Sequence, residues 1–245
     1  MKIYKSIDER YIVMLKDSQI KAVIFDLDDT ILNSRVAQLN AILEFKAKSK
    51  VFQNINDDEF ITKWDIIMRS KYEKYLKGEI TFSELRKERI KTMFSVYDIK
   101  ITDSKAEKLF DSYQEIYEKN WKTFDDAKEV LDELKTKYKL AIVSNGNSMQ
   151  QRKKIKLAGL DKYFTKIFIS EEVGYVKPQK EIFLMACKAI NVKPENAVMI
   201  GDKYKVDIEG SIKAGLNAIW VNRKNEKIEY KWQIKELKEL KEVLQ

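Results

Sequence analysis

Histidine is absent from this chain of 245 residues, and its absence excludes a large class of active sites. Without an imidazole there can be no Ser-His-Asp or Cys-His arrangement and no metal centre held by histidine. Any acid–base chemistry must therefore be carried by aspartate, glutamate, lysine, tyrosine or cysteine.

Cysteine and long apolar runs are also scarce. The single cysteine, Cys187, has no partner for an internal disulfide, and its place in the run IFLMAC favours a buried, inert thiol in a reducing compartment. The charged N-terminus MKIYKSIDERYIVMLKDSQ lacks the apolar centre of a signal peptide, and no run is long enough to cross a bilayer. The sequence therefore predicts a cytoplasmic protein with no membrane partner.

Acidic residues are fewer than basic ones. The 39 acidic and 47 basic residues leave a net charge of +8, with the excess in residues 121–245. The densest basic cluster, RKKIK at residues 152–156, contains apolar positions at helical spacing. This pattern is typical of a solvated helix face and argues against a nucleic-acid partner. A mild positive field also attracts small anionic molecules.

Apolar, β-branched runs alternate with helical patterns over much of the chain. The strand-like runs lie at 22–25, 140–143, 167–169, 197–200 and 218–221, and the helical patterns at 126–138, 149–158, 180–190 and 207–214. This alternation predicts an α/β fold with a Rossmann-like, doubly wound parallel sheet, in which ligands bind beyond the carboxyl ends of the strands. Asp26, Ser144 and Asp202 each follow such a run, so we expect them on one rim of the sheet.

Residues 35–120 interrupt the alternation with helical patterns alone, at 38–49, 58–76, 82–94 and 104–119. The stretch TFSE at residues 81–84 is a capping-box signature for one of them. In the tail, apolar residues at helical spacing predict a closing helix over 227–245. We interpret 20–34 and 121–245 as the core, 35–120 as an inserted helical domain and 1–19 as an extension.

The stretch VIFDLDDTIL ends its strand in three carboxylates, those of Asp26, Asp28 and Asp29. At an effective dielectric constant of about 20, two such charges about 4 Å apart repel by roughly 4 kcal/mol. A cation is therefore expected among them unless they point apart into water. Asp29 and Thr30 suit an ordinary turn or helix cap. For Asp26 and Asp28 taken alone, a turn and a functional site are equally good interpretations.

Two further clusters could bind an anion. Ser144, Asn145 and Gly146 end a strand before a helix, where a hydroxyl and successive backbone N–H groups can cradle an anion, although SNG is also a common turn. Lys177 precedes Pro178, which fixes the backbone and holds the lysine on a defined loop.

The last cluster is acidic and again follows a strand. Asp202 comes directly after the run AVMIG, and Asp207 lies five residues further on. Together with Asp26, these acids form an oxygen-rich set of the kind that holds Mg²⁺.

The series FDLDDT, VSNG, VKP and IGDKYKVDIEG, in this order, resembles the haloacid dehalogenase-like (HAD) hydrolase superfamily. The likeness covers residues 22–34 and 121–222, and KGEITFSELRKERI is similar to the helical cap that one branch inserts after its first motif. The resemblance implies a Rossmann-like core with a mobile cap. Within the superfamily, the DLDDT form is most similar to 5′-nucleotidase-like phosphatases of nucleoside monophosphates and to sugar-phosphate phosphatases.

The resemblance also implies a role for each matching residue. Asp26 would be the nucleophile that forms an aspartyl-phosphate, and Asp28 would act as general acid and then base. Lys177 would neutralise charge on the nucleophile and the phosphate, while Ser144 and the amide of Asn145 would hold the phosphoryl group. The implied ligands of Mg²⁺ are Asp26, the backbone carbonyl of Asp28, Asp202 and Asp207.

The acid at Asp28 narrows the implied reaction, because removal of halide needs no proton whereas the leaving oxygen of a phosphoester does. We therefore expect a Mg²⁺-dependent phosphatase of small phosphomonoesters, with a small phosphorylated metabolite as its partner. A phosphomutase of a small sugar phosphate and a non-catalytic HAD-fold protein that binds through its basic half stay open as alternatives.

Two features of this sequence bear on metal binding and selectivity. Lys203 and Val206 stand where the family commonly has a small hydroxyl residue and often asparagine, and we expect Lys203 to point outward. The residue that selects the substrate is expected among four residues of the helical insertion: Trp64, Tyr72, Tyr75 and Arg89.

Overall fold

The computed structural model describes residues 19–244, so nearly all of the predicted extension 1–19 lies outside the described residues. The chain divides into two compact units. One, here the sheet unit, comprises Met1–Asn33 and Thr123–Gln245, and the other, the helical unit, comprises Ser34–Lys122.

The helical unit contains four helices around an aromatic core. They are α1 (Ser34–Lys48), α2 (Asp57–Leu76), α3 (Phe82–Ser95) and α4 (Asp103–Lys119). The predicted capping box is confirmed: the Thr81 hydroxyl accepts from the N–H of Glu84, and the Glu84 carboxylate accepts from the N–H of Thr81. Trp64 is buried in the core, where its ring centroid lies 4.8 Å from that of Tyr113.

The sheet unit is built on six parallel strands in the order β3-β2-β1-β4-β5-β6. The strands are β1 (Ala22–Phe25), β2 (Lys139–Ser144), β3 (Lys166–Ile169), β4 (Ala197–Gly201), β5 (Asn217–Val221) and β6 (Gln233–Ile234). Every residue of β1, β4 and β5 is buried, as expected for parallel strands covered on both faces. The predicted α/β, Rossmann-like fold is confirmed.

Helices cover both faces of this sheet. They are α5 (Ala127–Leu134), α6 (Ser148–Leu157), α7 (Ser170–Val173), α8 (Lys180–Ala189), α9 (Glu209–Lys213) and α10 (Leu240–Val243). In β1, Val23 and Phe25 pack with α5, whereas Ala22 and Ile24 pack with α8 on the opposite face. The predicted buried thiol of Cys187 lies in α8, and burial raises its pKa to about 12, so it is unreactive at neutral pH.

The predicted closing helix over 227–245 is wrong for most of its length. Residues Gln233–Ile234 form β6, followed by a 3₁₀ turn at Leu237–Glu239 and the short α10. The free edge of β5 explains the difference, because its backbone groups need partners: the N–H of Trp220 donates to the carbonyl of Trp232 over 2.8 Å. Ile234, Leu237 and Leu240 are nevertheless buried in the core.

The three central strands end side by side. Phe25 of β1 pairs with Ile142 of β2 and with Ile200 of β4. The residues that follow these positions therefore lie on one rim of the sheet, and among them are Asp26, Ser144 and Asp202. Between residues 19 and 244, no helix is long and apolar enough to span a membrane.

Candidate active site

Three carboxylates converge on the rim of the sheet. Asp26, Asp202 and Asp207 each contribute an oxygen, and these oxygens all lie within 4.8 Å of one another. A backbone hydrogen bond to β4 holds Asp26 in place, because its N–H donates to the carbonyl of Ile200 over 2.8 Å. The carbonyl of Asp202 accepts from Nε1 of Trp220 over 2.8 Å. Carboxylates separated by some 175 positions in the chain are thus brought into one group.

Asp207 enters this group through one π-helical turn, Tyr204–Ile208, of a kind that often occurs at functional sites. The turn is tied back by two bonds: the N–H of Lys203 donates to Oδ2 of Asp207 over 2.9 Å, and the N–H of Asp207 donates to the carbonyl of Lys203 over 2.8 Å. A Cβ atom at Gly201 would lie 2.4 Å from Cβ of Asp207. Only glycine therefore leaves room for the carboxylate.

Lys177 is the buried cation of the group. Its Nζ lies 2.5 Å from Oδ1 of Asp26 and 2.7 Å from Oδ1 of Asp207. The side chain of Asn145 holds the backbone of this lysine, because Nδ2 donates to the Lys177 carbonyl over 3.0 Å and Oδ1 accepts from its N–H over 2.8 Å. Lys177 thus stands in a fixed loop, and Asn145 links that loop to the end of β2.

One lysine does not balance three clustered carboxylates, of which Asp26 and Asp207 are buried and Asp202 is half-buried. Burial raises the pKa of Asp26 to about 6, against the opposing charge of Lys177 and with a further rise from Asp207. Burial likewise raises the pKa of Asp202 to about 8, and the charge of Asp26 adds to it. Burial tends to lower the pKa of Lys177, but the charges of Asp207 and Asp26 raise it overall.

The group fits a divalent cation. Oδ1 of Asp202 is buried and has no hydrogen-bond partner among residues 19–244. Clustered carboxylate oxygens are the ligands that Mg²⁺ prefers. Lys203 is exposed, and its charge lowers the pKa values of Asp26 and Asp202 without cancelling the effect of burial.

We expect the metal-free protein to lose stability as the pH rises from about 4 to about 8. A carboxyl group whose pKa rises on folding binds more protons in the folded chain, so the free energy of unfolding falls with pH through this window. For Asp26 alone, the rise from 3.8 to about 6 corresponds to about 3 kcal/mol. Urea unfolding in EDTA at several pH values measures the loss.

The variant Asp202→Asn should flatten this dependence, because it removes the carboxyl with the higher pKa. The exposed Asp161→Asn serves as its control and should leave the curve unchanged. Identical curves of stability against pH for Asp202→Asn and the wild type would show that Asp202 does not contribute to the pH dependence.

Asp28 is bound by two side chains of α6. Its Oδ1 lies 2.6 Å from Nζ of Lys154, and its Oδ2 accepts from Nε2 of Gln151 over 2.7 Å. The same Nε2 lies 2.7 Å from Oγ of Ser144. The carboxylate of Asp28 is therefore outside the three-carboxylate group, and metal binding by its backbone carbonyl stays a prediction.

These contacts correct the interpretation of RKKIK as a solvated helix face. Arg152, Lys153 and Lys156 are exposed, but Lys154 is buried against Asp28. Neither Gln151 nor Lys154 was expected to contact the site. The residues 151 and 154 share one face of α6 at a spacing of three, a signal that the sequence does contain but that is also typical of a core-facing stripe.

Fewer backbone N–H groups are available to an anion after β2 than the sequence suggests. The N–H of Gly146 donates to Oγ of Ser170 over 3.0 Å, and the N–H of Ser148 at the start of α6 donates to the carboxylate of Glu171 over 2.7 Å. Both donors are therefore used within the fold. Ser144, which is buried at the end of β2, and the N–H of Asn145 stay the predicted contacts for a phosphoryl group.

A model of haloacid dehalogenase-like hydrolases matches residues 20–215 of the chain. The chain belongs to this family. It is a HAD hydrolase, and the motifs that suggested the resemblance all lie within the matched residues.

Known proteins similar to this HAD hydrolase include phosphatases. N-acylneuraminate-9-phosphatase from Mus musculus is 29% identical over 227 residues, which cover 84% of each chain. Glyceraldehyde 3-phosphate phosphatase from Methanothermobacter thermautotrophicus is 39% identical over 100 residues, covering 40% of this chain and 44% of that protein. The magnesium-bound crystal structure of the HAD-hydrolase YfnB from Bacillus subtilis is 28% identical, with a TM-score of 0.79, and covers 93% of this chain and 99% of that one.

The four residues expected to select the substrate of this HAD hydrolase lie in different surroundings within the helical unit. Trp64 is a core residue, as its burial shows, which leaves it little surface for a ligand. The rings of Tyr72 and Tyr75 lie 5.9 Å apart, and the guanidinium carbon of Arg89 lies 5.9 Å from the ring centroid of Tyr72. Burial lowers the pKa of Arg89 to about 10. Selection by Tyr72, Tyr75 or Arg89 stays a prediction.

Proposed function

We propose that this HAD hydrolase is a phosphatase that hydrolyses small phosphomonoesters with the help of Mg²⁺, through an aspartyl-phosphate on Asp26. The observation that carries this proposal is the contact of Asp26 with Lys177 inside the three-carboxylate group. A nucleophilic carboxylate needs a cation beside it to approach a charged phosphate. Lys177 supplies that cation, because its Nζ lies 2.5 Å from Oδ1 of Asp26.

The metal is proposed to be bound by four groups: the carboxylates of Asp26, Asp202 and Asp207 and the backbone carbonyl of Asp28. When bound, Mg²⁺ neutralises charge on the phosphoryl oxygens. The unpartnered Oδ1 of Asp202 supports this assignment, since a buried carboxylate oxygen is costly without a partner.

The protein's own groups carry the proposed reaction in two steps. In the first, a carboxylate oxygen of Asp26 forms a bond to phosphorus while the ester P–O bond breaks, and its electron pair stays on the leaving oxygen, which takes a proton from Asp28. In the second, a water attacks the same phosphorus, and Asp28 accepts its proton as inorganic phosphate leaves and the carboxylate of Asp26 is restored. Lys177 stabilises the anionic groups throughout, while Ser144 and Asn145 donate to phosphoryl oxygens.

The substrate is proposed to be a small phosphorylated metabolite, either a sugar phosphate or a nucleoside monophosphate. Relatives whose names specify N-acylneuraminate 9-phosphate and glyceraldehyde 3-phosphate favour the sugar class. The helical unit is proposed to be the cap of the helical-cap branch. A cytoplasmic location is proposed because a lone buried cysteine suits a reducing compartment.

A panel of phosphate esters tests this function. We expect release of inorganic phosphate from one or more sugar phosphates or 5′-nucleotides in Mg²⁺, and loss of at least about 100-fold in turnover when EDTA removes the metal. Free phosphate is measured alongside the organic product, because an isomerised phosphate ester would identify a phosphomutase instead. Turnover that is unaffected by EDTA, or no turnover of any ester, would refute the proposal.

A further inference from the structure

We propose that Gln151 and Lys154 of α6 are positioning residues that hold the carboxylate of Asp28 and the hydroxyl of Ser144 in place for phosphoryl transfer. The inference rests on the proposed function, because Asp28 and Ser144 have a role in phosphoryl transfer only if the protein is a phosphatase of this kind. Neither residue is proposed to touch the substrate.

The amide of Gln151 has only one orientation that satisfies the ionised carboxylate of Asp28. A carboxylate can only accept hydrogen bonds, so the nitrogen and not the oxygen of the amide must face Oδ2 of Asp28, at 2.7 Å. The second hydrogen of this nitrogen reaches Oγ of Ser144, also at 2.7 Å. Gln151 is almost fully buried, so water does not compete for these bonds.

This bond also orients the hydroxyl of Ser144. Because Oγ accepts from Gln151, the hydroxyl hydrogen must point in another direction. A serine that receives a hydrogen bond on one side keeps its own hydrogen available as a donor. Such a donor is what a phosphoryl oxygen requires, so Gln151 prepares Ser144 for its proposed role.

Lys154 holds the other oxygen of Asp28. Its Nζ lies 2.6 Å from Oδ1, and only 4% of its side chain is exposed, against 25% for that of Asp28. A buried ammonium group without a counter-charge is costly, so this pair is held firmly. The two contacts therefore fix both oxygens of the Asp28 carboxylate, the group proposed to transfer the proton.

The geometry of α6 supports a dedicated arrangement. Gln151 and Lys154 are separated by three residues and lie on one face of the helix, where both are buried with Ile155. The side chain of Asn147 caps the start of this helix by accepting from the N–H of Gln150 over 3.1 Å. A capped helix is a rigid support for the two side chains.

The leaving group of the substrate provides the test. An alcohol needs a proton from Asp28 to leave, whereas 4-nitrophenolate leaves without one. The value of kcat/KM reports the steps up to loss of the leaving group, so it isolates this proton transfer. For Lys154→Met, we expect kcat/KM to fall about 10- to 100-fold with the best sugar phosphate of the panel and less than about 3-fold with 4-nitrophenyl phosphate.

Two further variants complete the test. Gln151→Met should lower kcat/KM for both esters, because it also releases Ser144, with the larger loss for the sugar phosphate. Lys156→Met alters an exposed lysine of the same helix and should leave both values unchanged. Circular dichroism and thermal unfolding show whether each variant folds, and if Lys154→Met does not, Lys154→Gln takes its place with the same expected split.

The outcomes separate this inference from the proposed function. Equal losses for the two esters in the Lys154 variant, or no loss with either, would overturn the positioning role while wild-type turnover leaves the phosphatase assignment intact. Failure of the wild type to hydrolyse any ester would instead remove the proposed function and this inference with it.

Discussion

Replacing Asp26 with asparagine should lower kcat on phosphate esters by about 10⁴-fold or more. An amide is not a nucleophile towards phosphorus, and loss of a nucleophile is among the most damaging changes that an active site can undergo. The carboxylates of Asp202 and Asp207 stay in the variant, so it should still bind Mg²⁺, although more weakly. Steady-state assays and calorimetric titration with Mg²⁺ measure the two effects separately.

The matched control for this change lies three residues along the chain. Asp29 stands in a turn with φ of 62°, a left-handed conformation that asparagine also tolerates. Asp29→Asn should therefore keep turnover within about 3-fold of the wild type. Acid quenching during turnover should trap phosphate on the wild-type protein and none on Asp26→Asn. Comparable kcat for Asp26→Asn and the wild type would exclude the covalent mechanism.

Replacing Lys177 with methionine should lower kcat/KM about 10³-fold and destabilise the metal-free protein by about 3 kcal/mol. The variant keeps the length of the side chain but leaves Asp26 and Asp207 without their buried cation. The two carboxylates then repel each other, and the nucleophile approaches phosphate without local neutralisation. Ester assays and urea unfolding in EDTA measure these changes.

Two comparisons establish whether the effect comes from the lost charge. Lys180→Met changes an exposed lysine at the start of α8 and should alter neither quantity by more than the experimental error. Mg²⁺ should restore part of the lost stability of Lys177→Met, because it supplies positive charge to the same carboxylates. A folded Lys177→Met protein with activity within 10-fold of the wild type would contradict the role given to Lys177.

The sequence was informative where a single physical pattern determines the structure. Short apolar, β-branched runs that alternate with helical patterns are typical of parallel strands covered on both faces, so β1, β4 and β5 were located almost to the residue. Their carboxyl ends necessarily meet at one edge of the sheet. The approach of Asp26 to Asp202 could therefore be expected before any side chain was placed.

Contacts made by long side chains across the fold were not predictable in this way. Lys154 belongs to a run of four basic residues within five, and its spacing from Gln151 is equally typical of a core-facing stripe, so the sequence does not assign it to Asp28. The N–H of Gly146 is taken by Ser170, a residue 24 positions away that carries no sequence signal of its own. The prediction of a helix over the tail was wrong for a different reason. The apolar spacing there suits a helix and also suits a strand followed by a 3₁₀ turn.

The pair of hydrogen bonds between the Asn145 side chain and the backbone of Lys177 has a consequence for how this protein can change over time. They join the loop that follows β2 to the loop between α7 and α8, so neither loop can be reshaped without displacing the other. An insertion or a substitution that alters one loop needs a compensating change in its neighbour. We therefore expect these two segments to vary together, or not at all, among descendants of this sequence.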